Sequence, residues 1–168
     1  NVERVSNAAG VGVLETSKAY TRFASAAKAA GIETDVVNTV FENTVRAAGN
    51  LGLSGDEVSR ILNALAQTAS KGRVSMEELS QQLGDSLPGA LSLMSKGLGI
   101  TLPDLIKLVE TGGLLADQAL PALGQALVEL GGQGDRVEGL AQSFARLRNA
   151  VTETYRGFAD TGAYRVLS

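Results

Sequence analysis

The sequence predicts an all-α fold: a compact module of short capped helices, flanked by longer helices near the N- and C-terminal ends. Three observations predict it. Apolar residues recur three and four positions apart along most of the 168 residues, which is the spacing of one helix face. Proline is rare, with 3 residues, and the 20 glycines mostly fall at the ends of helical stretches. A helix-start pattern also repeats three times, which predicts that several of the helices are short.

The first helix is predicted over residues 2–30. Its apolar side chains form one narrow stripe, and most of them are small. The stripe consists of Val5, Ala9, Val13, Thr16, Tyr20, Phe23, Ala27 and Ala30. Gly31 is expected to end this helix in the left-handed conformation. A second helix is predicted from about Thr34 to Ala48.

The repeated helix-start pattern is LSGDEV at 53–58, VSMEEL at 74–79 and ITLPDL at 100–105. In each, a Ser or Thr can accept a hydrogen bond from a free backbone N–H of the first turn. An acid three residues later suits the helix dipole, and apolar residues flank the pair. The pattern predicts helices at about 55–69, 76–83 and 102–111.

Three more helices complete the predicted fold. One starts at Pro88, and another covers residues 116–130 with Pro121 in its first turn. After the glycine-rich joint at 131–134, the last helix begins at Asp135. It carries a heptad-like stripe consisting of Val137, Leu140, Phe144, Leu147, Val151 and Phe158. Two interpretations stay open: the stripe is a seam through which copies of the chain self-associate, or it packs on its own domain.

Residues Gly84-Asp85-Ser86-Leu87 match the nucleophile signature of one family of esterases and lipases. A serine nucleophile needs a base within hydrogen-bond reach, which in that family is histidine, and the chain has no His. The residues before Ser86 also have helical rather than strand spacing. We therefore expect no enzyme activity here, and we expect Ser86 to cap a helix in a turn.

Composition excludes other classes of function. The net charge is −3, so no basic surface for nucleic acid is indicated. With neither Cys nor His, a zinc or transition-metal site is not expected, and no cofactor motif is present. No apolar run is long enough to span a bilayer.

The middle of the chain, residues 72–123, resembles the tape measure domain of long tail tape measure proteins of tailed phages and prophages. The resemblance is carried by GRVSMEEL, QLGDSLPGA, GITLPDL and LPAL, in that order. A weaker match extends over about 32–71 and 135–151. On this basis the chain divides into an N-terminal helical arm (1–31), a compact tape-measure-like domain (32–134) and a C-terminal helix and tail (135–168).

The resemblance implies a structural protein without catalytic residues, a fragment of a tape measure protein that sets tail length. It would occupy the lumen of the virion tail and, during assembly, the host cytoplasm. Its implied partners are the tail tube, the assembly chaperones and the tail tip or baseplate. The family's setting, with several copies side by side in a tube, also points to a homo-oligomer as one possibility. The alternative from a different class is a helical adaptor that binds a partner helix in an apolar groove.

Overall fold

The structure is a computed structural model that describes residues 2–131, with side chains for residues 15–130. Over this range the chain forms six α-helices and one short π-helix, and no strand. In chain order they are α1 (Val2–Ala29), α2 (Thr34–Leu51), α3 (Gly55–Lys71), the π-helix (Glu77–Gln82), α4 (Ala90–Leu98), α5 (Leu102–Glu110) and α6 (Ala116–Gly131). The all-α prediction is confirmed. The helix predicted from Asp135 lies outside the described residues.

Helices α1 and α3 pack side by side and run in the same direction. The Thr16 hydroxyl donates a 3.2 Å hydrogen bond to the carbonyl of Gly55, the first residue of α3, and lies 3.1 Å from Ser59 Oγ. Further along both helices, Arg22 Nη1 donates a 3.4 Å hydrogen bond to Asn63 Oδ1. Because both residue numbers rise together, the two helices are parallel, and Thr16 is level with the start of α3.

The apolar stripe predicted for α1 is confirmed over its second half. Phe23 and Ala27 lie in the same core as the later helices, and Thr16 is also buried. Ala30 is exposed, against prediction, because α1 ends at Ala29. Gly31 has the expected left-handed conformation, with φ 76°. The division of the chain at residues 31 and 134 stays a prediction.

Helices α2 and α6 form a second parallel pair. Asn43 Nδ2 donates to the Gly124 carbonyl, and Asn50 Nδ2 donates to the Leu130 carbonyl, each at 2.8 Å. At the crossing, a Cβ on Gly124 would lie only 3.0 Å from Val40 Cγ2. The absence of a side chain at Gly124 therefore lets the two backbones approach closely.

Two of the three predicted helix starts form as expected. At α3, Ser54 Oγ accepts a hydrogen bond from the Glu57 N–H, and the Glu57 carboxylate accepts from the Ser54 N–H at 2.7 Å, which completes a capping box. These hydrogen bonds lower the pKa of Glu57. At α5, Thr101 Oγ1 accepts from the Asp104 N–H.

The third predicted start differs. Ser75 Oγ accepts a 3.5 Å hydrogen bond from the Glu78 N–H, but the Glu78 carboxylate does not return to the cap and points into the core. The helix that follows is a π-helix, in which the Leu83 N–H donates to the Glu78 carbonyl five residues earlier. The spacing of Ser75 and Glu78 predicts a full capping box, and this prediction is wrong. The Glu78 carboxylate is buried in the core and so cannot accept a hydrogen bond from the Ser75 N–H.

Pro88 and Pro121 were both predicted to lie in the first turn of a helix, and both lie elsewhere in the structure. Pro88 lies in the turn before α4, because Gly89 has φ 76° and the helix begins only at Ala90. Pro121 lies inside α6, after its first turn, and so leaves the carbonyl of Asp117 without the usual intrahelical donor.

Two backbone hydrogen bonds join the segment after α3 to the segment before α6. The Val74 N–H donates to the Leu114 carbonyl at 2.9 Å, and the Ala116 N–H donates to the Gly72 carbonyl at 3.0 Å. The second bond satisfies a backbone donor at the start of α6 that has no partner within the helix. This short antiparallel contact holds α6 beside the end of α3.

Candidate functional site

Ser86, the residue of the esterase-like tetrapeptide, lies in the turn between the π-helix and α4. It is 2% exposed, and its Oγ accepts a 3.2 Å hydrogen bond from Arg60 Nε on α3. The predicted turn is confirmed, but the predicted capping role is wrong, because α4 starts after Gly89 without a side-chain cap. Ser86 instead holds the turn against α3.

Glu78 is the one charged side chain buried in the described part of the chain, at 1% exposure. One carboxylate oxygen accepts a hydrogen bond from the half-exposed Lys71 ammonium, and this bond raises the pKa of Lys71. The other oxygen, Oε2, has no hydrogen-bond partner. Glu78 and Thr68 help to line an otherwise apolar cavity of about 10 Å³, roughly the space of one water molecule. The ion pair ties the end of α3 to the π-helix.

Among the side chains that the structure describes, those of residues 15–130, no group of three or more His, Cys, Asp and Glu is placed to hold a metal ion. Within the same residues, no helix is both long and apolar enough to cross a membrane.

Two hydrogen-bonded contacts flank the connection between α2 and α3. We call this region the shared corner and define it by Thr16, Asn50, Gly55 and Leu130. Thr16 of α1 is hydrogen-bonded to Gly55 at the start of α3, and Asn50 near the end of α2 is hydrogen-bonded to Leu130 near the end of α6. Residues 52–54 connect α2 to α3, so the two contacts lie at opposite ends of this connection.

Helix α1 extends beyond the shared corner at its N-terminal end. The residues of α1 before Thr16 precede the start of α3 and add about 20 Å of helix, at 1.5 Å per residue. Helix α6 reaches the corner at Leu130, and the rest of the chain follows from there. The predicted self-association stripe, Val137, Leu140, Phe144, Leu147, Val151 and Phe158, lies in this last part of the chain, outside the described residues.

Comparison with known proteins identifies the family. A family model described as "Tape measure protein" matches residues 1–160. The chain belongs to the tape measure protein family. A curated relative, the "Probable tape measure protein" of Salmonella phage Felix O1 (isolate Felix O1-VT1), is 34% identical over 121 residues, which cover 72% of this chain. They cover only 16% of that relative, so the chain spans a small part of the tape measure protein it matches. No solved structure matches it.

The resemblance read from residues 72–123 is thus confirmed, and the family match extends over the N-terminal helix as well. Sequence reasoning did not identify Asn43, Asn50 or Gly124, which join α2 to α6. Asn and Gly residues on two separate helices give no sign, in a single sequence, that these helices pack against each other. The sites of chemical interest in the described residues, Ser86 and Glu78, are both used to hold helices together.

Proposed function

We propose that this chain is a folded module of a phage or prophage tail tape measure protein, and that the helical parts of that protein set tail length from within the tail tube. The observation that carries the proposal is the family match over residues 1–160. A long helix suits a ruler, because its rise of about 1.5 Å per residue converts residue number into length.

The described residues suit a different role in tail assembly from that of a ruler. Six α-helices and a π-helix pack around one core, so residues 15–130 do not form an extended rod. A compact module offers a surface on which other proteins can bind, whereas an extended helix sets a length. We therefore assign it a docking or initiation role during assembly in the host cytoplasm, while rod-like helices elsewhere in the full-length protein occupy the tail lumen. The partners of this role are the tail tube, the assembly chaperones and the tail tip or baseplate.

Tail length tests this proposal. In the full-length protein of the phage or prophage that encodes the chain, we expect an in-frame deletion of about 100 residues of predicted rod-like helix to shorten the tail by about 150 Å, at 1.5 Å per residue. An insertion of the same size should lengthen it by a similar amount. Electron micrographs of purified tails give both lengths, and tails of unchanged length would contradict the proposal.

We also propose that the module is not catalytic, and Ser86 is the residue on which to test this. Its Oγ is buried and already accepts a hydrogen bond from Arg60. We expect a fluorophosphonate probe, which labels activated serines, to leave the folded protein unlabelled in mass spectrometry. Stoichiometric labelling that disappears in Ser86→Ala would establish a nucleophile and overturn this assignment.

A further inference from the structure

The cavity beside Glu78 brings two buried polar side chains together inside an otherwise apolar core. Glu78 of the π-helix is 1% exposed, and Thr68 of α3 is 7% exposed. The other residues that line the cavity carry Ala, Val, Leu or Met side chains. We propose that this cavity binds one structural water molecule, which donates one hydrogen bond to Glu78 Oε2 and another to Thr68 Oγ1.

The hydrogen bonds of the two side chains show what kind of group the cavity needs. Glu78 Oε1 accepts a hydrogen bond from the Lys71 ammonium, whereas Oε2 has no hydrogen-bond partner among the described residues. The Thr68 hydroxyl donates its hydrogen to the Ala64 carbonyl at 3.1 Å, so its oxygen can only accept a further hydrogen bond. A carboxylate oxygen also only accepts. Two acceptors cannot bond to each other, and a water molecule has the two donors that satisfy both.

Burial gives the site its free energy of binding. A carboxylate oxygen that leaves water without gaining a hydrogen bond destabilises the folded state, and more so than a neutral group. A water molecule restores that hydrogen bond inside the protein. Internal waters make two to four hydrogen bonds to buried polar groups, so Glu78 Oε2 and Thr68 Oγ1 meet this requirement at its lower limit.

Size and charge both select water over other ligands. The cavity has a volume of about 10 Å³, which is at the lower limit for one water molecule and too small for an organic ligand. The Lys71 ammonium already balances the charge of Glu78, and the cavity offers two side-chain oxygens, whereas a calcium ion takes six to eight. The water therefore gives the π-helix a second link to α3, on the core side of the Lys71–Glu78 ion pair.

A crystal structure of the 168-residue chain tests the site directly. We expect an electron-density peak within about 3.2 Å of both Glu78 Oε2 and Thr68 Oγ1. We expect no such peak in Glu78→Leu, which lacks one of the two acceptors. A cavity without a peak in the wild-type protein would overturn the proposal. So would a direct contact of about 2.7 Å between Oε2 and Oγ1, because a protonated carboxyl group would then donate to Thr68 without a water.

Urea unfolding gives a second readout in solution. Thr68→Val removes one acceptor and keeps the shape of the side chain. We expect it to lower the urea midpoint of the wild-type chain by at least about 0.3 M more than the midpoint of Glu78→Leu, in which no water remains to be held. Equal shifts in the two backgrounds would contradict a water molecule shared by Thr68 and Glu78.

Thr44→Val is the matched control for this comparison. Thr44 is also buried, and its Oγ1 also donates to the carbonyl four residues earlier, that of Val40, at 2.7 Å. It does not line the cavity. Thr44→Val should therefore shift the urea midpoint by the same amount in the wild-type chain and in Glu78→Leu. A difference as large as that of Thr68→Val would mean that the coupling does not come from the cavity and would also overturn the proposal.

Discussion

Replacing Phe23 by alanine is expected to lower the free energy of unfolding by about 3–5 kcal/mol. Phe23 has 0% exposure and lies in the core that α1 shares with the helices after residue 32. Removing its ring leaves a cavity that the parallel α1–α3 contact cannot close easily, because Thr16 and Arg22 hold the helices in place by hydrogen bonds. Urea unfolding followed by circular dichroism at 222 nm measures the change.

The control is Ser25→Ala, on the exposed face of the same helix, which should change the free energy of unfolding by less than about 0.5 kcal/mol. A single cooperative transition at lower urea for Phe23→Ala would show that α1 unfolds with the domain. If α1 were an independent arm, the main transition would stay where it is in the wild-type protein, and the account of the α1–α3 contact would be wrong.

Gly97→Ala is expected to destabilise the protein by about 1–3 kcal/mol or more. A Cβ at Gly97 would lie 2.0 Å from the carbonyl oxygen of Ala122 on α6, so the added methyl group meets backbone rather than a movable side chain. The sign of the effect is informative. In a helix free of this contact, the same substitution would stabilise by about 1 kcal/mol, because alanine is the better helix former.

Gly113→Ala is the control, since its Cβ would meet chiefly the Leu108 Cδ1 at 2.8 Å, the end of a side chain that can rotate away. We expect it to cost clearly less than Gly97→Ala in the same urea titration. Equal stability of Gly97→Ala and the wild-type protein would show that α4 does not cross α6 at Gly97.

Local features of the fold could be predicted from the sequence because each has a cause within a few residues. The capping box at Ser54 and Glu57, and the left-handed Gly31, depend on neighbouring backbone groups alone. The family resemblance also rests on local features, namely short motifs that occur in order along residues 72–123. These features located the helices but not their partners.

The tertiary arrangement could not be predicted, because it depends on residues far apart in sequence. Glu78 satisfies the spacing of a capping box, yet Lys71 and the core hold its carboxylate elsewhere, and the helix becomes a π-helix. Serine is a residue type that often caps helices, but the hydroxyl of Ser86 accepts a hydrogen bond from Arg60 of α3 instead. In both positions a tertiary contact replaced the local hydrogen bond that the sequence favours.

The central claim is that this compact module supports assembly of the tail while helical parts elsewhere in the protein set its length. The distribution of tail lengths in electron micrographs, measured for phage that carry Gly97→Ala beside phage that carry Gly113→Ala, tests it most directly. The account predicts fewer tails with Gly97→Ala, at the wild-type length, and near-normal numbers with Gly113→Ala. A normal number of tails whose length is shifted by Gly97→Ala would contradict the account, because it would make the module itself part of the ruler.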